Sequence, residues 1–276
     1  MKKLIPIISM LLVVVSLLGT ATYAWFSMNL TVEATGMQVK AVSSGGIAIA
    51  SYTKGDDGAK APDATDFKSS AAAAYLASAN VFPTSTPDAT TWYTAFASET
   101  DRFEPSGGYT QVTASDLGQY VLVSKFQVKS LGTTEATSST DLYLTNVTLG
   151  GLTSKPLNNA LRIAIVYAGE GAQGTHFIAP VRSGSIDSLK CVSGTSLVNY
   201  PEIEISPTNY FMSSTSYSSG DNVIYLGKAT NTAKDLTVYI YFEGEDVSCY
   251  SLNAIEVDTI TVNLTFSTPN PSATSN

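Results

Sequence analysis

Few residues in this chain could carry out chemistry. There is a single histidine, His176, set in Gly174-Thr175-His176-Phe177-Ile178 inside an expected strand. A histidine-based zinc site normally needs two or three histidines, and a metalloprotease helix needs them at i and i+4. Neither can be built. A Ser-His-Asp triad would need a nucleophile elbow, and no Gly-x-Ser-x-Gly occurs. The expectation is a protein without catalytic residues, in which His176 is a strand residue hydrogen-bonded locally.

Carboxylates gather in two places. Glu243-Gly244-Glu245-Asp246 follows an expected strand, and Glu99, Asp101 and Glu104 lie in a polar stretch. Paired carboxylates can do glycosidase chemistry or hold calcium through oxygen ligands. Neither group has the spacing of a calcium loop, so solvated loop charge is the expectation. Ca2+ at Glu243 to Asp246 is kept as the one metal alternative, and no other cofactor is expected. Asp56-Asp57-Gly58 reads as a turn. No Gly-rich phosphate loop follows a strand, which leaves nucleotide binding without support.

Trp92 and Tyr93 could stack on sugar rings or could anchor their segment on the scaffold. Cys191 and Cys249 are the two cysteines. Bridged, they would close a loop of about 58 residues and contribute roughly 4 kcal/mol by chain entropy. Unbridged, they would be buried free thiols. Asn29, Asn146 and Asn263 each begin an Asn-x-Thr sequon.

The elements that must position these residues are strands. Leu30-Thr31-Val32-Glu33-Ala34 alternates, and Met37 to Ala41 resumes the alternation one residue out of phase after Gly36. Such a shift at a glycine marks a bulge. Tyr120, Leu122, Phe126 and Val128 share a face, opposite Lys125, Gln127 and Lys129. Leu161, Ile163, Ile165 and Tyr167 are likewise in phase. Leu142–Leu149, Thr175–Val181, Asn222–Leu226 and Leu236–Phe242 read as further strands, and the last runs from Ile255 to Phe266 with a bulge near Asp258. With polar Gly, Ser, Thr and Asn connections, this predicts an all-β sandwich or jelly roll.

One stretch departs. Ser69 to Ala79 holds four consecutive alanines and predicts a short helix. It lies in an insertion over about 53–112 that also carries Trp92, Tyr93, Phe96 and Phe103. The insertion is too poor in aliphatic residues to bury its own core. Residues 25–268 are thus expected to form one sandwich domain, with 269–276 as a disordered tail.

The chain starts Met1-Lys2-Lys3, followed by an apolar run from Leu4 to Leu18 and small residues up to Ala24. This is the layout of a secretory signal, with cleavage between Ala24 and Trp25. The run is about 15 residues, short of the roughly 20 that cross a bilayer. An uncleaved single-pass anchor is the rival reading, and it would be the only membrane attachment. Removing Lys2 and Lys3 leaves 13 basic against 23 acidic residues, a net charge of −10. Such a surface repels phosphate backbones, which excludes nucleic acid, and it repels anionic lipid as well.

The junction Gly19-Thr20-Ala21-Thr22-Tyr23-Ala24-Trp25-Phe26-Ser27 resembles the export junction of the TasA/camelysin family of secreted Gram-positive proteins. It is similar also to a set of Firmicute proteins that start Ala-Trp-Phe-Ser-Met-Asn. Those end in a Glu-Gly-x-Asp-x-x-Cys segment and a final apolar strand, matched here by Glu243 to Cys249 and Ile260 to Phe266. The resemblance covers about 25 residues at the start and about 30 at the end.

It implies a SipW-type signal peptidase, a jelly-roll domain and a place on the cell surface. Some members build biofilm-matrix fibres in which the N-terminal segment of one subunit completes the sheet of the next, a form of β-strand addition. Here Trp25, Phe26, Leu30, Val32 and Ala34 would make the subunit contact. Alternatively, residues 29–41 pair within their own domain. Two functions follow as expectations. One is a fibre subunit that associates with itself or with other matrix proteins. The other is a secreted adhesin or glycan-binding module using Trp92 and Tyr93. An extracellular hydrolase comes last, for want of histidines.

Overall fold

A computed structural model describes residues 39–44, 46–55, 58–73, 76–77, 82–94, 109–131, 139–150, 159–172, 174–180, 190–200, 203–204, 210–213, 224–246, 249 and 261–268. The cleavage site at Ala24 and Trp25, the contact residues Phe26, Leu30, Val32 and Ala34, and Phe96, Glu99, Asp101, Phe103 and Glu104 lie outside these residues. So do Asn29, Gly36, Asp258 and the tail.

Among the described residues the chain forms β1 (Val39–Ser44), β2 (Ile47–Ser51), β3 (Thr53–Gly55), β4 (Gly58–Lys60), β5 (Ser70–Ala72), β6 (Leu76–Ala77), β7 (Thr84–Ser85) and β8 (Tyr93–Thr94). The longer strands are β9 (Leu122–Ser130), β10 (Thr140–Gly150), β11 (Leu161–Tyr167) and β12 (Thr175–Pro180). Then come β13 (Lys190–Ser193), β14 (Ser196–Asn199), β15 (Ile203–Glu204), β16 (Tyr210–Ser213), β17 (Ile224–Ala229), β18 (Lys234–Phe242) and β19 (Thr261–Ser267).

Two sheets face each other. The first has five strands in the order β17-β10-β19-β1-β5. The second has eight, in the order β15-β16-β12-β11-β18-β9-β2, with β6 also on β9. The chain winds between them, since β9, β11 and β18 of the second sheet alternate in sequence with β10, β17 and β19 of the first. The result is a β-sandwich, and the fold is all-β as expected. Among the described strands one pair breaks the antiparallel rule: β1 runs parallel to β19, from Val39 opposite Val262 to Ser44 opposite Ser267. From β1 the chain crosses to β2 in the other sheet through Gly46, whose φ of +90° favours glycine.

The alternation in the sequence fills the space between the sheets. Leu161, Ile163, Ile165 and Tyr167 of β11 face inward with Leu236, Val238, Ile240 and Phe242 of β18. Val262, Leu264 and Phe266 of β19 and Leu142, Leu144 and Val147 of β10 meet them from the first sheet. In β9, Leu122, Phe126 and Val128 point inward as the sequence predicts. Tyr120 does not join them; it precedes the strand and packs against a second apolar layer.

That second layer lies on the other face of the larger sheet. Val123, Ala164, Phe177 and Tyr241 project from β9, β11, β12 and β18 to meet Ala89, Trp92, Cys191 and Tyr200. The segment 82–94 and the β13–β14 hairpin therefore form a cap over the sheet.

The described residues of the helix predicted over Ser69 to Ala79 form strands instead. Ser70–Ala72 pairs with β1, and Leu76–Ala77 pairs with β9. The reason is length: an isolated helix of fewer than about 12 residues is marginal even when alanine-rich. Two strand margins offer the same backbone a ready partner, and Ala71 and Ala73 are small enough to pack against the core beside them. Asp56 and Asp57 of the expected turn lie outside the described residues; β3 and β4 on either side of them pair antiparallel, with Gly55 opposite Gly58.

Candidate functional site

The strongest concentration of chemistry sits where β18 leaves the sheet. The expectation of solvated charge at Glu243-Gly244-Glu245-Asp246 is overturned. Glu243 is 0% exposed, Glu245 2% and Asp246 4%. The backbone explains the burial. Glu243 N–H donates to the Ala160 carbonyl, and Gly244 N–H donates to the Thr84 carbonyl of the cap. A tight turn then returns Asp246 N–H to the Glu243 carbonyl at 3.1 Å.

Arg162 supplies the counter-charge. It lies opposite Tyr241 in the β11–β18 ladder and projects from the outer face of the sheet. Its Nη2 donates to Asp246 Oδ2 at 2.8 Å, with both side chains essentially inaccessible. Nη1 donates to the carbonyls of Asn159 and Leu161.

Glu243 is the hub of a second set of contacts. The Tyr200 hydroxyl lies 2.9 Å from Glu243 Oε2, 2.9 Å from the Tyr241 hydroxyl and 2.8 Å from the Thr86 carbonyl oxygen. Glu245 N–H donates to Oε1 of Glu243, and Val192 N–H donates to the Ser85 hydroxyl. Burial pushes the Glu243 carboxyl up to about 7, against the charge of Arg162 and the hydrogen bonds from Ser85, Glu245 and Tyr200. Burial, and then the nearness of Glu243, holds Tyr200 and Tyr241 well above the ordinary phenol range.

Trp92 is 3% exposed. Its ring meets Tyr241 edge-on at 5.0 Å and Tyr239 at 5.5 Å. The sugar-stacking alternative is therefore corrected: Trp92 anchors the cap to the sheet, the arrangement that aromatic pairs favour energetically. Tyr93 is half-buried in the short β7–β8 pairing. Beside Trp92, Asp88 organises the loop by accepting from Thr90 N–H and Thr91 N–H at 2.8 and 2.7 Å. Burial would raise its carboxyl, but these hydrogen bonds outweigh it and hold the group below the usual range.

His176 is buried in β12, as its strand position predicts, but it is not hydrogen-bonded locally. Neither ring nitrogen has a partner among the described residues. Burial lowers its pKa to about 4, so the ring is neutral at pH 7.

The two cysteines are free buried thiols, so the bridge is not formed. Cys191 belongs to the cap layer and Cys249 to the core between the sheets. Burial, then the Glu243 charge, pushes Cys191 up to about 12, and burial raises Cys249 further. A neutral, inaccessible thiol is a poor nucleophile. The native protein is expected to leave both thiols unlabelled by iodoacetamide at pH 8, and to show two labels by mass after denaturation without reductant. A denatured protein that takes up label only after reduction would reveal a bridge.

The carboxylate cluster, Arg162 and the two tyrosines thus come together, whereas Cys191 and Cys249 do not. Sequence reasoning missed Arg162, Tyr200, Tyr241 and Ser85. One signal was available: an arginine inside the apolar run Leu161–Tyr167 calls for a buried partner. No group of three or more His, Cys, Asp or Glu among the described residues is arranged to hold a metal ion. No helix of these residues is long and apolar enough to cross a membrane. Comparisons of the chain with protein-family models, curated proteins and solved structures return no match.

Proposed function

We propose that the chain is a secreted structural protein of a Gram-positive cell surface, a subunit of an extracellular matrix fibre assembled by β-strand addition. The observation that carries this reading is the place of β1 at the margin of the five-stranded sheet. Among the described residues only β5 lies outside it, and β5 pairs with Lys40, Ala41 and Val42. The alternating segment from Trp25 leads straight into β1. A short margin strand is weakly held, and a longer strand of matching alternation can replace it. The burial of Glu243, Asp246, Arg162 and Trp92 supports a structural role for the polar and aromatic groups. It also takes Trp92 out of solvent, one of the two aromatic residues on which a glycan-binding role would rest, while Tyr93 is half-buried.

Electron microscopy of two purified proteins tests the proposal. The protein starting at Trp25 is expected to form fibres, and a version lacking residues 25–34 is expected to stay monomeric. Monomers from both preparations would overturn it.

A further inference from the structure

Glu243 joins Trp92 and the Gly244–Thr84 hydrogen bond in fastening the cap to the sheet, and its contacts depend on its proton. The Tyr200 hydroxyl has one proton to give and two lone pairs with which to accept. It lies within hydrogen-bond distance of three oxygens: the Thr86 carbonyl, the Tyr241 hydroxyl and Glu243 Oε2. The carbonyl can only accept. With Glu243 protonated, every contact is satisfied. The carboxyl and Tyr241 donate to Tyr200, and Tyr200 donates to Thr86. With Glu243 ionised, the carboxylate also can only accept, and it competes for the single Tyr200 proton. The Thr86 carbonyl then loses that donor in a buried setting, which a polar group tolerates poorly.

We propose that the cap over the larger sheet, residues 84–94 with the β13–β14 hairpin and Tyr200, is a pH-operated cover that Glu243 fastens when protonated and loosens when ionised. This goes beyond the fibre reading and does not depend on it. Burial brings the Glu243 carboxyl close to neutrality, and the groups that face it come from every side. From β11, Arg162 is committed to Asp246 and favours the charged form of Glu243. From β18 and the hairpin, Tyr241, Tyr200 and Cys191 are all raised by burial and stay neutral. From the turn come Glu245, Asp246 and the neutral Cys249. From the cap come Ser85, which hydrogen-bonds Glu243, and the more distant Asp88, which acts on Cys191.

Linkage fixes the direction. The carboxyl ionises at about 7 in the closed cap and at 4.5 when released into water. Opening therefore sheds a proton between those values and becomes about tenfold easier per pH unit. From about pH 5 to about pH 8 the opening constant rises roughly seventyfold.

Hydrogen–deuterium exchange, corrected for intrinsic rates, reads this directly. The amides of 84–94 and 190–200 are expected to lose that factor in protection between the two pH values. Amides of β9 and β11 are expected to keep theirs. Glu243→Gln, which stays neutral, should abolish the difference. Tyr200→Phe should open the cap at the lower pH and shrink the difference, and it decides the matter if the glutamine variant does not fold. Cap protection that is independent of pH, that changes in step with β9 and β11, or that changes equally in Glu243→Gln would overturn the proposal.

Discussion

Replacing Asp246 by alanine will cost the fold about 3–5 kcal/mol, the usual penalty for stranding one partner of a buried ion pair. The size follows from where Arg162 sits. Its side chain is 1% exposed and that of Asp246 0%. Two carbonyl oxygens accept from Nη1, but Asp246 is the partner of Nη2, and Nε has none among the described residues. The alanine protein would hold a guanidinium in a dry layer without its counter-ion. A domain's whole stability is about 5–15 kcal/mol, so roughly a fifth or more would be lost.

The complementary expectation concerns both partners together. Arg162→Met with Asp246→Leu should lose less than either single change, because a buried pair is often matched by apolar groups of similar volume. A double-mutant cycle from urea unfolding would measure the coupling. A loss below about 1 kcal/mol for Asp246→Ala, the worth of an exposed pair, would mean that water reaches the site.

The strands were legible wherever one face is strictly apolar. Leu161–Tyr167 is read with its limits and its inward residues correct, because alternation with period two reports a buried face directly. Alternation does not report what covers the opposite face. Ala164, Val166, Tyr239 and Tyr241 stand on the face opposite the inward residues, and the cap buries or partly buries them. The cover comes from segments distant in the chain, and no local pattern carries that information. The charges of Glu243 to Asp246 were misread for the same reason: Arg162, which neutralises Asp246, lies on another strand. The Ser69–Ala79 helix failed differently. Alanine propensity is a weak preference, and strand margins that offered backbone partners overrode it. Trp92 was legible only as a choice between two uses, and packing against Tyr241 decides it.

Measured against pH, the stability of the parent protein will hide two opposed contributions that single substitutions expose. His176 is neutral when folded, with a pKa near 4, against 6.5 when unfolded. Its depressed value means that the unfolded chain takes up the proton first. The stability it contributes is present above about 6.5 and is lost as pH falls towards 4. Glu243 has the opposite sign. Its folded value of about 7 lies above the unfolded 4.5, so its contribution is present below 4.5 and is lost as pH rises through 7. Each pH unit crossed is worth about 1.4 kcal/mol per group. Between 4.5 and 6.5 the two slopes run against each other and nearly cancel. His176→Leu removes one of them, so the variant should gain about 3 kcal/mol relative to the parent as pH falls from about 6.5 to about 4. Glu243→Gln should gain a similar amount relative to the parent as pH rises from about 4.5 to about 7. Urea unfolding of the three proteins at a series of pH values checks both signs. Parallel stability curves for parent and His176→Leu would mean that the ring is solvated or partnered in the folded protein, and the dry core around β12 would have to be redrawn.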